Sequence, residues 1–408
     1  MGRETLKNSS SGMKRKEHGT EQPRHINKIG EVASTARRSD SPAQTIIQRL
    51  PSFAARLIAW QREFGRHDLP WQGGDAYRVW LSEIMLQQTQ VVTVIPYFLR
   101  FVASFPNVAA LAAATEEQVL AHWSGLGYYA RGRNLYKTAR LIVEQHHGEF
   151  PNDFAKIIEL PGIGRSTAAA ICALAFHQHR AILDGNVKRV LARYCGIAGW
   201  TGDKRIEAQL WQHAEDLLPK KEVAIYIQAQ MDMGATLCTR SRPKCAQCPV
   251  QNDCVAHQTN RVAELPTPRP RKTIPERHAT FLLLRHGNEI YLEKRAATGI
   301  WGGLWSLPQL DDGGELLDEY MQRKGFDLAE RTELDVFTHT FTHFKLHITP
   351  VLLRVANKPL QVQQADNAWL KLDEALQAAI PTPVRMMLEH QTLRLGGCER
   401  FSGERQHV

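Results

Sequence analysis

The chain has 408 residues, enough for two or three domains, and its 43% hydrophobic and 23% charged residues are ordinary for a folded soluble protein. Neither an apolar run of about eighteen residues nor an apolar stretch near the start is present, which argues against a membrane-spanning helix and a secretory signal. A net charge of +9 favours a polyanionic partner, with nucleic acid the first candidate. We expect a cytoplasmic protein.

Residues 1–45 are rich in Ser, Lys, Arg and Glu and contain no aromatic side chain. Such a segment cannot bury a core, so it is predicted to be a disordered basic tail. Three interpretations stay open: a weak electrostatic tether to DNA, a solvated extension, or a start codon placed too early, with Met13 or a later residue as the true start.

Residues 46–260 predict a mostly helical region. Apolar residues recur every three or four positions, and Gly and Pro separate the segments. The predicted helices are Phe53–Phe64, 79–90, 97–105, 111–123, 136–145, 154–160, 166–176, 187–194 and 208–217.

The segment 79–90 is apolar on nearly every face, which predicts a buried helix, yet it carries Glu83 and Gln87 four positions apart. A buried carboxyl group without an ionic partner stays protonated, and a protonated Glu in an apolar site can act as a general acid. The alternative is a structural Glu that bonds to the backbone or to an Arg.

Two glycine-containing loops come next. Residues 125–131 join Gly, aromatic and basic residues in a loop whose aromatic rings suit either insertion into a base stack or core packing. In residues 160–167, Gly162 and Gly164 precede a helix, an arrangement that lets backbone N–H groups approach a phosphate or that simply turns the chain between two helices.

Asp184 precedes the predicted helix 187–194, the usual place of an N-cap. Its other interpretation is a second, ionised carboxylate. A neutral acid paired with an ionised carboxylate is the arrangement that cleaves glycosidic bonds through a cationic sugar state.

Four cysteines crowd into seventeen residues: Cys238, Cys245, Cys248 and Cys254. This clustering predicts a metal centre in a reducing compartment, and the spacing, with one close pair and two outlying residues, suits an iron–sulfur cluster at least as well as zinc. The basic residues between the first two Cys suggest a loop that grips phosphate. Cys172, Cys195 and Cys398 are expected to have no part in the site.

Residues 261–277 are rich in Pro and Arg and are predicted to be a linker. A second domain of α/β type is expected over residues 278–395, with a hairpin around residues 280–293, strand pattern over 336–355, and helices near 316–324 and 383–392, followed by a tail. The spacing of His339, His343 and His347 suits one strand better than a metal site.

Together these segments resemble the MutY-type adenine DNA glycosylases of the helix-hairpin-helix, endonuclease III-like superfamily, which carry a C-terminal MutT/Nudix-like domain. The resemblance covers residues 46–390. It rests on Leu-Pro-Trp, Trp-Leu-Ser-Glu-Ile-Met-Leu-Gln-Gln-Thr, Gly-Leu-Gly-Tyr-Tyr-Ala-Arg, Leu-Pro-Gly-Ile-Gly-Arg-Ser-Thr, Leu-Asp-Gly-Asn-Val and the cysteine loop.

The resemblance implies excision of adenine mispaired with 8-oxoguanine or guanine in duplex DNA, with the base flipped out of the stack. Glu83 would protonate adenine, Asp184 would stabilise or trap the sugar cation, and Asn186 would orient them. The implied substrate and DNA contacts are Trp71, Gln87, Gln88, Tyr128, Gly162, Gly164 and Ser166. The four clustered cysteines would hold one [4Fe–4S] cluster, and we expect a monomer.

Two departures matter. Endonuclease III-like relatives carry Lys where this chain has Ser166; serine cannot form a Schiff base, so we predict a glycosylase without lyase activity. The family's Phe-Ser-His loop, which reads 8-oxoguanine, appears here as Phe-Thr342-His343. Because the segment after Pro308 lacks the acidic metal ligands of a Nudix hydrolase, nucleotide hydrolysis is not expected.

The alternatives are a bifunctional lyase that acts on oxidised pyrimidines and a DNA-binding scaffold without catalysis. Ser166 and the C-terminal domain oppose the first, and the pair of Glu83 with Asp184 opposes the second.

Overall fold

The computed structural model describes residues 52–270, 273–359 and 366–395, the last five of these by their backbone only. The segments predicted as tails, 1–45 and 396–408, lie outside the described residues. Among the described helices, none is both long and apolar enough to cross a membrane.

The first part of the described chain is helical, as predicted. Its helices are α1 (Phe53–Phe64), α2 (Ala76–Leu86), α3 (Val91–Ser104), α4 (Val108–Ala113), α5 (Glu116–Trp123), α6 (Ala130–His146), α7 (Phe154–Ile158), α8 (Arg165–Ala175), α9 (Gly185–Tyr194), α10 (Lys204–Asp216), α11 (Val223–Thr236) and α12 (Val255–Gln258).

Polar side chains set many of the helix starts. A side-chain oxygen accepts a hydrogen bond from a backbone N–H in the first turn at Ser52, Asp75, Asn107, Thr115, Asp153, Asp184 and Asp203. The cap at Thr115 divides the segment 111–123, predicted as one helix, into α4 and α5.

The helix predicted over 79–90 is wrong at its C-terminal end, because α2 stops at Leu86. Gln88 has a left-handed backbone with φ 61°, which ends the helix. Arg131, far along the chain, donates hydrogen bonds to the carbonyl oxygens of Ile84 and Met85 and so satisfies the last turn. Gln87 is therefore not a helical neighbour of Glu83.

The helices pack into two cores. One joins α2 to α6 and continues into the C-terminal domain, with Trp80, Phe98 and Trp123 fully enclosed. The other joins α1 to α9, α10 and α11 around Leu57 and Tyr226. A groove lies where α2 of the first core faces α8, α9 and α11.

The C-terminal part is an α/β domain, as predicted. Its strands are β1 (Glu276–His286), β2 (Glu289–Lys294), β3 (Trp305–Ser306), β4 (Gln309–Asp311), β5 (Leu328–Glu333), β6 (Phe337–Thr340), β7 (Lys345–Val355) and β8 (Asn367–Lys371). Its helices are α13 (Leu317–Lys324), α14 (Leu372–Gln377) and α15 (Thr382–Leu395).

The two long strands β1 and β7 run parallel at the centre of the sheet, from Glu276 opposite Lys345 to Arg285 opposite Arg354. Strands β2 and β4 pair with β1, β5 and β6 pair with β7, and β3 and β8 pair with β2, all antiparallel. The hairpin predicted around residues 280–293 is confirmed as β1–β2.

One detail of the histidine prediction is wrong. The segment 336–355 is a hairpin of β6 and β7 rather than a single strand, so His339 and His347 lie on neighbouring strands and His343 lies in the turn. Thr338 pairs with His347, and among the described residues no three potential ligands converge on a metal ion there.

A candidate glycosidic-bond site and a cysteine-lined cavity

Helix α2 presents Glu83 to the groove. Trp80, Leu81, Ile84 and Met85 face the core around it, which leaves the carboxyl group at the edge of the buried surface. Helix packing therefore fixes where Glu83 sits, and the groove keeps it accessible.

The start of α9 supplies the second carboxyl group. The Asp184 carboxylate accepts a hydrogen bond from Val187 N (2.7 Å), so Asp184 is the N-cap of α9. The same side chain lines the groove and lies near enough to Glu83 to repel its charge. The two interpretations of Asp184 left open by the sequence are thus compatible.

The surroundings treat the two carboxyl groups differently. Burial and, to a smaller extent, the charge of Asp184 together raise the pKa of Glu83 to about 8. Burial also raises the pKa of Asp184, but the N–H of Val187 and the guanidinium of Arg189 act in the opposite direction. Asp184 has partners that stabilise its anion, whereas Glu83 has only influences that favour the neutral acid.

The groove has a volume of about 1420 Å³ and gathers many of the predicted site residues. Those that line it are Trp71, Glu83, Gln87, Gln88, Ser166, Asp184 and Asn186. The structure therefore brings two carboxyl groups and a set of amide side chains onto one surface, although they come from distant parts of the chain.

Five of the predicted DNA contacts lie outside the groove. Tyr128 is 46% exposed at the end of the loop before α6, with a left-handed backbone (φ 48°). Gly162 and Gly164 lie in the turn before α8, and Thr342 and His343 lie exposed in the β6–β7 turn. They do not line the groove.

The turn before α8 requires Gly162. Its φ is 79°, and a Cβ atom there would lie 2.9 Å from Cβ of Asn134. Gly164 is the N-cap residue of α8 and has no side chain that could accept a hydrogen bond from the first turn. The backbone N–H groups of the first turn of α8 are therefore available to an acceptor from outside the helix.

Ser166 has a structural contact that sequence alone did not indicate. Its hydroxyl oxygen accepts a hydrogen bond from Leu183 N at 3.0 Å, next to Asp184 in the chain. Across the groove, Gln87 Nε2 is 3.4 Å from the hydroxyl of Thr167. Helix α8 thus contacts both the loop after α2 and the segment that leads to α9.

The four clustered cysteines line one cavity beside α9 and α11: Cys238, Cys245, Cys248 and Cys254. None of the four takes part in a disulfide. Burial raises the pKa of Cys248 to about 11, and its neighbouring sulphurs add to that effect. A cationic group in the cavity would remove this repulsion, so the set of donors fits a metal centre.

In the part of the chain that the structure describes, no three His, Cys, Asp or Glu side chains converge closely enough to hold one metal ion. The four sulphurs nevertheless line one cavity, where they form a set of donors for a metal group.

Two arginines of α9 link this cavity to the groove, and sequence reasoning missed both. Arg193 is buried and approaches the Sγ atom of Cys238 to 3.3 Å. Arg189 donates to the Cys238 carbonyl (2.7 Å) and to Oδ1 of Asn186 (2.9 Å). The two arginines are four residues apart and so lie on one face of α9. This spacing is visible in the sequence and could have indicated them.

Asn186 is also held by a close helix approach. A Cβ atom on Gly234 of α11 would lie 2.5 Å from Cβ of Asn186, so only glycine permits the contact. The nearby Asp232 is fully buried and accepts hydrogen bonds from Gln61, Gln228 and Arg66. This network packs the edge of the groove, and no local pattern in the sequence predicts it.

Two family profiles match the chain. One, described as an HhH-GPD superfamily base excision DNA repair protein, matches residues 81–216, and the other, described as a NUDIX domain, matches residues 279–390. The two profiles correspond to the helical part and the α/β part of the fold, as the resemblance in the sequence implied.

Curated relatives match over most of the chain. An adenine DNA glycosylase of Buchnera aphidicola (subsp. Acyrthosiphon pisum) is 39% identical over 340 residues, 83% of this chain and 97% of that protein. The adenine DNA glycosylase of Mus musculus is 31% identical over 86% of this chain and 80% of that protein, and the human one is 31% identical over 86% and 76%.

The raised pKa of Glu83 predicts that the stability of the fold depends on pH. The pKa of Glu83 in the folded protein is about 8, above the ordinary value of 4.5. The contribution of Glu83 to the free energy of unfolding is therefore fully present below about pH 4.5 and is lost as the pH rises through about 8. Glu83→Gln removes this loss, which amounts to at most about 5 kcal/mol. The melting temperature of Glu83→Gln, relative to the parent protein, should therefore rise between pH 5 and pH 9.

Glu144→Gln is the matched control, because Glu144 is an exposed helical glutamate paired with Arg140. Its melting temperature relative to the parent should not follow this trend. A constant difference for Glu83→Gln over the same pH range would show that Glu83 is ionised normally in the fold.

Proposed function

Because the chain belongs to the adenine DNA glycosylase family, we propose that it removes adenine mispaired with 8-oxoguanine or guanine from duplex DNA and leaves the sugar–phosphate strand intact. The observation that carries this proposal is the pair of unlike carboxyl groups, Glu83 and Asp184, at the groove between the two helical cores. The protein acts as a monomer in the cytoplasm, on DNA of the nucleoid.

Glu83 begins the reaction as the acid. With a pKa of about 8 it carries a proton at neutral pH, and it donates that proton to a ring nitrogen of the flipped adenine. The glycosidic bond then breaks with its electron pair on the base, so that adenine leaves as a neutral molecule. Glu83 is left as the carboxylate and can take a proton from the water that attacks the sugar.

Asp184 faces the positive charge that develops on the sugar. The Val187 N–H and Arg189 stabilise its anion, which suits it to electrostatic stabilisation or to transient covalent capture of the sugar carbon. Asn186 lines the same surface and is held by Arg189, so it can orient the carboxylate or the water.

The DNA contacts follow from the positions of the remaining residues. Gln87 and Gln88 border the groove just beyond α2, and the exposed ring of Tyr128 suits insertion into the duplex where adenine leaves. Trp71 lines the groove where a flipped base would lie. The turn at Gly162 and Gly164 offers backbone N–H groups to a phosphate.

The C-terminal domain reads the base opposite adenine. Thr342 and His343 are exposed in the β6–β7 turn, where both side chains can reach a partner. The Thr342 hydroxyl can donate to or accept from a modified purine. Thr carries a methyl group that Ser lacks, and this group adds bulk beside the hydroxyl. The rate of excision opposite 8-oxoguanine should therefore be compared with the rate opposite guanine.

The cysteine-lined cavity holds one [4Fe–4S] cluster, with Cys238, Cys245, Cys248 and Cys254 as ligands. When bound, it supplies four metal–thiolate bonds that fix the loop 238–254, whose basic residues can then face DNA phosphates. The four cysteines line a cavity other than the groove that contains Glu83 and Asp184, so their part is structural.

The deciding experiment is a single-turnover assay on a duplex with one adenine opposite 8-oxoguanine, each sample divided between hot alkali and no treatment. We expect strand breaks only after alkali. Glu83→Gln should bind the duplex but excise at least about 100-fold more slowly, because the general acid is lost. Glu144→Gln should behave as the parent protein does.

Excision by Glu83→Gln at the parent rate would remove Glu83 from the mechanism. If the parent protein, carrying a full cluster, released no adenine although it bound the duplex, a DNA-binding scaffold would be the better conclusion.

Ser166→Lys tests the absence of lyase activity. An amine in place of the hydroxyl can attack the sugar after adenine leaves, so we expect strand breaks without alkali from this variant. Ser166→Ala is the matched control, since it loses the same hydrogen bond from Leu183 N without gaining an amine. Equal breakage by the two variants would contradict the role given to this position.

Cys248→Ser tests the cluster. We expect about four irons per chain in the parent protein, and a loss of most of the iron and of the visible absorption in this variant. Cys172→Ser, which alters a buried thiol of α8 outside the cavity, should keep its iron. Zinc in place of iron in the parent protein would overturn the assignment of the metal.

A further inference from the structure

A short connection between α5 and α6, residues 124–129, contacts both domains; we name it the junction segment. Its two ends, Ser124 and Tyr129, are buried, while Tyr128 projects from it and is 46% exposed. Because Tyr128 is a proposed wedge into the duplex, the position of this segment determines how the protein meets DNA.

Both ends of the junction segment bond to a single carbonyl group of the C-terminal domain. The oxygen of Ile380, just before α15, accepts hydrogen bonds from the Ser124 hydroxyl (2.8 Å) and the Tyr129 hydroxyl (3.0 Å). Arg385 of α15 donates to the Ser124 hydroxyl at 3.2 Å. The two bonds to Ile380 are shielded from solvent, and a hydrogen bond in such surroundings is stronger than one in water.

The middle of the same segment bonds to the catalytic helix through Arg131. Its guanidinium donates to the carbonyl oxygens of Leu126 and Gly127, each at 3.2 Å, and to those of Ile84 and Met85 at the end of α2. Helix α2 carries Glu83. A shift of Ile380 therefore acts on both ends of a segment whose middle is fastened to the catalytic helix.

We propose that Tyr129 is a positioning residue that determines specificity: its hydroxyl ties the C-terminal domain, through the junction segment and Arg131, to the helix of Glu83. Recognition of the opposite base at Thr342 then favours the geometry in which Glu83 meets adenine. This inference rests on the proposed function. It adds a route by which lesion recognition in one domain changes the rate of excision in the other.

Other contacts between the domains bypass the junction segment. Glu117 of α5 accepts hydrogen bonds from Lys294 and from the indole of Trp305, and Arg133 of α6 donates to the carbonyl of Gly302 at 2.7 Å. These contacts hold the domains together when the Tyr129 hydroxyl is removed. Loss of that hydroxyl should therefore change the coupling and not the assembly of the domains.

Tyr129→Phe is the test, with Tyr97→Phe as its control. The Tyr97 hydroxyl also bonds to the junction segment, at the carbonyl of Ser124 (3.0 Å), but it belongs to α3 of the helical region. For each protein, single-turnover rates of adenine release are measured opposite 8-oxoguanine and opposite guanine. A typical buried hydrogen bond corresponds to about fivefold.

We expect Tyr129→Phe to lower the ratio of the 8-oxoguanine rate to the guanine rate about fivefold. Tyr97→Phe should keep that ratio within about twofold of the parent value. Combined with Thr342→Ala, Tyr129→Phe should be non-additive in this ratio, whereas Tyr97→Phe should be additive. If Tyr129→Phe fails to fold, Ser124→Ala, which removes the other bond to Ile380, takes its place.

An unchanged ratio, or equal loss of both rates together with a lower melting temperature, would overturn the proposal and leave Tyr129 as a packing residue. Additive effects of Tyr129→Phe and Thr342→Ala would overturn it as well. The parent protein separates this failure from a failure of the proposed function, since it must first release adenine opposite 8-oxoguanine.

Discussion

The guanidinium of Arg131 is the contact on which the geometry of the site depends. Arg131 is 9% exposed, and its guanidinium donates hydrogen bonds to carbonyl groups at the end of α2 and in the loop before α6. Burial lowers its pKa only to about 10, so it stays charged at neutral pH. The ring faces of Trp123 and Tyr128 lie 5.4 Å from it and add cation–π attraction.

Arg131 explains why α2 can end abruptly inside the protein. The last carbonyl groups of a helix need donors, and a buried helix end without them is costly. One side chain supplies those donors and also fastens the loop that carries Tyr128. Gln88 and Tyr128, both with left-handed backbones, thus sit at the tips of loops that share one anchor.

The two carboxyl groups of the groove differ in the form, neutral or anionic, that their positions in the fold favour. Glu83 extends from the middle of a helix, where no N–H is free, and burial favours its neutral form. Asp184 occupies a helix start, where free N–H groups favour an anion. Helix α9 also carries Arg189 and Arg193, so the cysteine cavity and the groove share one rigid support.

Much of the fold and part of the site follow from local sequence. Apolar periodicity predicts both ends of α1 correctly, and polar caps mark many of the helix starts, because these effects act within a few residues of the chain. A buried helix with a lone Glu83 likewise suggests an acid, and an Asp before a helix suggests a cap.

Only the tertiary structure decided where α2 ends, which carboxyl group faces Glu83, and that residues 336–355 form a hairpin. The donor that ends α2 lies 47 residues from Ile84, and Asp184 comes from another helix. Arg131 shares a helix face with Leu135 and Ile142, so its position in the sequence hints at burial but not at its acceptors. Contacts between distant segments depend on packing, and local patterns do not encode the partner.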